Sequence, residues 1–328
     1  MEDYIIKDEY FAEFMDETVE PFLAQRKKEF RIPRKVDASL YYVCYDAEEA
    51  IGTVVISHGF TETAEKYLEI IYYFLKHHYH VCQLEHCGHG YSYRLVNDLS
   101  LVHVDRYERY VQDLLEVADA AKQKHPELPL FLFGHSMGGG IAAAALSTQP
   151  ELFERAVLSS PMIRPLTGSV PWPVAKLLAN ILCRMGKAKQ YVPGGHAFDG
   201  KECFEDSAAT NRERFEYYHK KRNAQPLYQM NAASCGWLNE VAKLNRYLMK
   251  KGWKHIKTPL YIFQAENDVF VSSEEQECFI EKVKSAGRTT IRNMYIVGTK
   301  HEIFNSGEQV LRNYWEQVFR FLSESEIK

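Results

Sequence analysis

A hydroxyl becomes a useful nucleophile only when a base stands ready to take its proton and a third group orients that base. The segment Gly134-His135-Ser136-Met137-Gly138 has the pattern G-x-S-x-G. Five residues can recur by chance, so the flanking sequence decides the reading. Leu130-Phe131-Leu132-Phe133 is a short apolar run cut off by Gly134, and a small-residue run from Gly138 to Leu146 follows. A buried strand thus enters a sharp turn, and a closely packed helix leaves it. That setting holds a serine in strained backbone geometry at the end of a sheet. The glycines are needed because a Cβ at either place would collide with the neighbouring strand or helix. The helix N-terminus favours negative charge developing at Ser136.

The base is chosen by place in the chain, since the sequence has 13 histidines. His301 follows the run Asn293–Val297 through Gly298-Thr299-Lys300 and precedes a helical pattern. In the order serine, acid, histidine, the acid must follow a late strand. Glu266 and Asp268 both follow the run Pro259–Phe263, and either can hold the imidazole in its working tautomer. His58-Gly59-Phe60 follows the run Thr53–Ser57. A loop there supplies one backbone N–H of an oxyanion hole, and the residue after the nucleophile supplies the other. Those donors are the N–H groups of Phe60 and Met137. His58, Gly59 and His135 are expected beside the substrate. The chemistry needs no cofactor and no metal.

Short apolar strands alternate with longer helical patterns on both sides of these residues. Strands also read at His80–Leu84 and Arg155–Ser159, and helices at Ser272–Ala286 and Ser306–Leu322, the last with a capping box of Ser306 and Gln309. Such alternation predicts an α/β fold: a mostly parallel central sheet with helices on both faces. The rhythm breaks between Pro161 and Trp253, where prolines, a Pro193-Gly194-Gly195 turn, an apolar helix pattern over Val174–Met185 and a charged stretch over Arg212–Arg222 occur. Residues 161–253 are therefore expected to form a cap inserted into a core of 1–160 and 254–328. Trp172, Leu178 and Ile181 either line an acyl channel in this cap or form its own core.

The chain has 328 residues, a net charge of −4 and 26% charged residues, which gives no general attraction to nucleic acid. No apolar run reaches the roughly 20 residues of a membrane span. The acidic, mixed start MEDYIIKDEYFAEFMDE lacks the pattern of a secretory signal. Seven scattered cysteines fit free thiols in a reducing compartment, so a cytoplasmic protein is expected, with peripheral membrane contact through the cap. The oligomeric state is not legible. His77, His78, His80, Cys82, His86, Cys87 and His89 are dense enough to suggest zinc. They span a helix end, a strand and a turn, so they are not expected to converge as ligands must.

With these residues in place, the chain from about Val54 onward resembles the monoglyceride lipase and bacterial lysophospholipase group of α/β-hydrolases, filed beside serine-aminopeptidase-like hydrolases. His58-Gly59-Phe60-Thr61-Glu62 through Tyr67 is similar to the group's HGxxEHSxRY segment. Glu85-His86-Cys87-Gly88-His89-Gly90-Tyr91-Ser92 resembles its DxRGxGxS loop, with Glu85 in place of Asp and Cys87 in place of Arg. Gly134–Gly139 matches GHSMGG, and Ser160-Pro161-Met162 resembles SAPM. Gln264-Ala265-Glu266-Asn267-Asp268 is similar to QGxxD, whose last residue is the triad acid, so the resemblance favours Asp268. Lys300-His301-Glu302-Ile303 matches the segment whose histidine is the base. The resemblance implies ester hydrolysis through an acyl-enzyme on a lysophospholipid or a monoacylglycerol. The alternatives are a serine aminopeptidase, which needs cap carboxylates such as Glu202, Glu205 or Asp206 to hold an amine, another small-ester hydrolase, and a silent hydrolase fold used as a binding module.

Overall fold

The uninterrupted apolar runs become the middle of one sheet. The computed structural model describes residues 4–324. After two short helices, α1 (Phe11–Phe14) and α2 (Glu20–Ala24), a hairpin of β1 (Lys27–Lys35) and β2 (Ala38–Tyr45) opens the sheet. Then come β3 (Gly52–Ser57), α3 (Leu68–Lys76), β4 (Tyr79–Leu84), the two-residue β5 (Leu101–Val102), α4 (Glu108–Lys124), β6 (Leu130–His135), α5 (Met137–Thr148) and β7 (Arg155–Ser159). After β7 the chain forms α6 (Trp172–Arg184), α7 (Arg212–Ala224), the short β8 (Ala232–Ala233) and α8 (Cys235–Lys250). It returns through β9 (Leu260–Ala265), α9 (Ser273–Ala286), β10 (Ile291–Ile296) and α10 (Glu308–Ser323).

The eight-stranded sheet has the order β1-β2-β4-β3-β6-β7-β9-β10, parallel from β4 to β10, with β1 and β2 antiparallel at one edge. Every residue of β3, β4, β6, β7 and β9 is buried, because helices cover both faces. Leu114 of α4, Ala142 of α5, Leu244 of α8 and Phe279 of α9 pack into one core. Phe74 of α3 and Trp315 of α10 pack into the other, with Phe11 of α1.

Residues 161–253 enter the chain between β7 and β9, which are neighbours in the sheet, and give that sheet no strand. They are tied down at three places. β8 pairs with β5, and α8 packs Val241, Leu244 and Leu248 into the body core. On α7, Arg214 is buried, donates to Glu69 of α3 at 2.8 Å and pairs with Asp8. Ser234 and Asn211 cap α8 and α7 through their side chains.

Three details differ from the expectations. The β1–β2 hairpin is not in the sequence reading. The capping box on α10 is absent: Gly307 is the N-cap, and the Ser306 hydroxyl accepts from Thr210 instead. The cysteines are not all free thiols, since Cys44 and Cys82 form a disulfide. The register explains it: the two residues lie directly opposite across β2 and β4, which 38 residues of sequence separation conceal.

Candidate active site

Ser136 sits between the last residue of β6 and the first of α5, with φ 51° and ψ −120°. A non-glycine residue adopts this backbone only when its surroundings hold it there. Here the Ser136 N–H donates to Ser159 O at 3.1 Å, and the Ser136 carbonyl accepts from Gly140 and Met162. The glycines follow from contact. A Cβ on Gly138 would lie 2.0 Å from the Ser57 carbonyl oxygen, and one on Gly134 would lie 2.9 Å from Ala142.

His301 lies in the loop after β10, and Asp268 in the loop after β9. His301 Nε2 is 2.7 Å from Ser136 Oγ, and His301 Nδ1 is 2.7 Å from Asp268 Oδ2. The other Asp268 oxygen accepts the N–H groups of Phe270 and Val271 at 2.9 and 3.0 Å. Burial alone would raise the Asp268 pKa. The adjoining imidazole and these N–H groups outweigh burial and hold it below the usual carboxylate range. Glu266 is exposed and accepts from the Gly298 N–H at 2.8 Å, away from the imidazole. Met137 opens α5, where a helix leaves its first N–H groups without intrahelical acceptors. Phe60 lines the cavity beside Ser136, its ring 4.4 Å from that of Trp237.

A buried charge network supports these loops. Glu62 accepts the N–H of Gly59 and the hydroxyl of Tyr67, both at 2.6 Å. Lys66 is 3.0 Å from Glu62 and also pairs with Glu302, the residue after His301. Burial opposes the charge on Glu62 and on Lys66. For Glu62, Lys66 and His135 win, so its pKa is lowered; for Lys66, the two carboxylates win, so its pKa is raised. Lys66 thus bridges the loop before α3 to the loop that bears His301. The sequence reading gave Lys66 no role, because Glu302 is distant in the chain.

Ser136 and His301 face a cavity of about 520 Å³. Its lining combines apolar side chains, Phe60, Met162, Leu166, Trp237 and Phe270, with charged ones, Lys66, Glu202, Asp206, Arg222 and Glu302. A second cavity of about 280 Å³ is lined by Val170, Ala175, Leu178, Leu182 and Leu238, and shares Pro165, Leu166 and Trp237 with the first. His135 lines the first cavity and Leu178 the second. His58, Gly59, Trp172 and Ile181 line neither. The buried His58 ring donates to Gly59 O at 2.8 Å and accepts the His86 N–H at 2.9 Å, so it braces the loop from behind. A Cβ at Gly59 would meet Glu62, not substrate space. Trp172 is packed into the body core, and Ile181 is 44% exposed on the outer side of α6.

Among the carboxylates an aminopeptidase would need, Glu202 pairs with Arg222 and His219, and Glu205 with Arg212. Asp206 lines the cavity and accepts from the Cys203 thiol at 3.0 Å. The histidine and cysteine cluster is dispersed: His77 stacks on Phe319, His80 on His125, and Cys82 is in the disulfide. His80 and His125 do approach Asp46, with ligand atoms within 4.8 Å. Lys28 and Lys124 already occupy that carboxylate, so ammonium groups stand where a cation would.

A sequence profile of the family described as serine aminopeptidase, S33, matches residues 48–308. The chain is 24% identical to a probable lysophospholipase L2 of Haemophilus influenzae, over 97% of this chain and 99% of that one. It is 26% identical to a monoacylglycerol lipase of Mycolicibacterium smegmatis, over 79% and 84%. A crystal structure of a thermostable carboxyl esterase from Bacillus coagulans superposes with a TM-score of 0.74 at 18% identity, covering 90% of this chain and 98% of that one, and shares the fold.

Proposed function

This chain belongs to the serine aminopeptidase S33 family of α/β-hydrolases, and from that premise we propose that it is a serine ester hydrolase acting on lysophospholipids or monoacylglycerols. Relatives named lysophospholipase and monoacylglycerol lipase align over most of its length and support the ester reading over the peptidase one. One observation carries it: the cavity at Ser136 is lined by both apolar and charged side chains, and its lining residues Pro165, Leu166 and Trp237 also line a second, mostly apolar cavity. An acyl chain suits the apolar residues and a polar leaving alcohol the charged ones. Paired as they are, Glu202 and Glu205 are poor holders of a free amine.

In this reading Ser136 Oγ attacks the acyl carbonyl while His301 Nε2 takes its proton. Asp268 holds the Nδ1–H tautomer and stabilises the imidazolium. The N–H groups of Phe60 and Met137 receive the oxyanion. His301 then gives the proton to the leaving alcohol, and later draws one from the water that releases the fatty acid. These steps use side chains, two backbone N–H groups and water.

Residues 161–253 act as the cap. Its outer helix α6 exposes Val174, Leu177 and Ile181, and Met185 follows them, at 44–62%, beside the cations Lys176, Arg184, Lys187 and Lys189. Such a face suits reversible contact with an anionic lipid surface. No helix among the described residues is long and apolar enough to cross a membrane. On this reading the protein works from the cytoplasm, with Cys44 and Cys82 buried inside the sheet, out of reach of reductants.

The test is a panel of lysophospholipids, monoacylglycerols, short esters and aminoacyl amides, run with and without anionic vesicles. Lipid esters are expected to be cleaved fastest, and Leu177→Asp to weaken vesicle binding without loss on short esters. Preferred cleavage of aminoacyl amides would replace this reading with the peptidase one.

A further inference from the structure

His89 belongs to the histidine and cysteine cluster described above, and the proton-transfer chain does not use it. It is nevertheless fully buried against the loop that bears Phe60. Its place becomes informative through Thr61, which has φ 59°. A β-branched residue is a true outlier in that region, so something must hold it there. Two contacts do so. The Thr61 hydroxyl donates to the Phe60 carbonyl at 2.7 Å, and the Thr61 N–H donates to His89 Nε2 at 3.2 Å. His89 Nδ1 faces the Cys87 carbonyl at 3.2 Å, which can only accept. The proton is therefore assigned to Nδ1, and Nε2 keeps its lone pair for Thr61. Burial pushes the His89 pKa well below its ordinary value, which keeps the ring neutral and able to accept.

The ring is itself held by a stiff turn. Gly88 and Gly90 flank it at φ 86° and 47°, and Arg94 donates to both of their carbonyls, at 2.6 and 3.2 Å. The Gly88 N–H donates to Tyr93 O at 2.9 Å. The His89 ring also meets those of His58 at 5.0 Å and Phe60 at 6.3 Å. A rigid acceptor is thus aimed at the peptide that follows Phe60.

We propose that His89 is a positioning residue for the oxyanion hole: by accepting the Thr61 N–H it locks the Phe60–Thr61 segment in the conformation that points the Phe60 N–H at the substrate oxygen. The proposal rests on the reading that Phe60 supplies an oxyanion donor. It gives a purpose to the left-handed Thr61 and to a buried imidazole outside the triad.

The test compares His89→Leu, His89→Gln and the double variant His89→Leu with Thr61→Gly, using p-nitrophenyl butyrate and a boronic acid that forms a tetrahedral adduct on Ser136. Loss of one oxyanion donor costs about 10²–10³ in kcat, so a misaimed donor is expected to cost about 10- to 100-fold. His89→Leu should lower kcat by that factor at nearly constant KM, and weaken the boronic acid in parallel. Gln restores an acceptor and should recover most of the loss. Glycine at 61 adopts the left-handed backbone unaided, so it should rescue the Leu variant. If His89→Leu does not fold, His89→Met, flexible and without a strong acceptor, takes its place. Unchanged kcat and boronic acid affinity in a folded Leu or Met variant would overturn the assignment. So would a loss that neither Gln nor Thr61→Gly repairs, which would mean packing alone. A wild-type protein that neither cleaves the ester nor binds the boronic acid would instead overturn the hydrolase reading itself.

Discussion

The loops at the ends of β3, β6, β9 and β10 and the segment 161–253 meet at one cavity but are built on opposite terms. In the loops, polar atoms are buried and matched. Ser136, His301 and Asp268 form one hydrogen-bonded chain, and Glu62, Lys66 and Glu302 another. Two residues there, Thr61 and Ser136, hold left-handed backbone, with φ of 59° and 51°. The inserted segment instead exposes apolar side chains along α6, with cations beside them. Strain persists only where surroundings over-determine it, and exposed apolar surface persists where something apolar is to be met. On the proposed function the loops carry the chemistry and the insertion the selection, and each part of that reading can be broken separately.

The largest effects belong to the loops. Ser136→Ala should abolish ester hydrolysis and fluorophosphonate labelling while the fold survives, since the hydroxyl makes no bond except to His301. Labelling of a folded Ser136→Ala protein would end the assignment. Asp268→Asn should lower kcat about 10⁴-fold if it acts like the protease triad. Glu266→Gln should matter little, because the Glu266 side chain accepts the Gly298 N–H and not the imidazole. Reversal of that order would mean that the wrong acid has been chosen. Both losses should be the same on short and long esters, which separates them from changes in the insertion.

The same burial makes this region sensitive to acid. Burial lowers the pKa of His58 to about 4 and of His135 to about 3, and pushes His86 and His89 well below the ordinary value. The unfolded chain takes up protons at these four positions below about pH 6.5, and the folded chain does not until far lower. Stability should therefore fall as pH drops from about 6.5 toward 4. Each proton taken up only by the unfolded chain contributes about 1.4 kcal/mol per pH unit, so the four give a slope of up to about 5. Thermal melts across this range provide the check, and a melting temperature flat down to pH 4.5 would contradict it.

The anchor of α7 is a smaller term. Arg214→Met leaves Glu69 as a buried charge without its partner, a change that typically costs about 3–5 kcal/mol. Urea titration should show this loss. If unfolding splits into two transitions, with the first sparing p-nitrophenyl butyrate activity, the insertion has come loose while the loops remain intact.

The sequence exposed the loops far better than the insertion, for a physical reason. Ser136 lies between an apolar strand and a small-residue helix because the backbone turn demands both, so position and chemistry coincide. His301 and Asp268 follow late strands, and strand rhythm is legible wherever burial is complete. The hairpin β1–β2 escaped because β1 is an edge strand with alternating, mostly charged residues. Lys66 and His89 escaped because their meaning lies in partners far along the chain, Glu302 in one case and Thr61 in the other. In the insertion, helix pattern alone could not tell cavity from core. Trp172 and Leu178 read alike, yet one is packed into the body and the other lines the second cavity.

That last difference gives the finest test of the division. An acyl chain gains about 0.8 kcal/mol for each CH₂ it buries. If it passes Leu166 and Trp237 into the second cavity, kcat/KM should rise about three- to fourfold per CH₂ and level off when the cavity is full. Leu178→Trp puts a ring into that space and should shorten the plateau length, with butyrate esters unaffected. Ile181→Trp should leave the profile unchanged, because Ile181 lies on the outer side of α6 and lines neither cavity. A flat chain-length profile would mean that the second cavity holds no acyl chain. Equal loss on butyrate and long esters in Leu178→Trp would mean that this side chain only holds the insertion together. A shift by Leu178→Trp alone would place the length filter on one face of one helix, clear of the loops that do the chemistry.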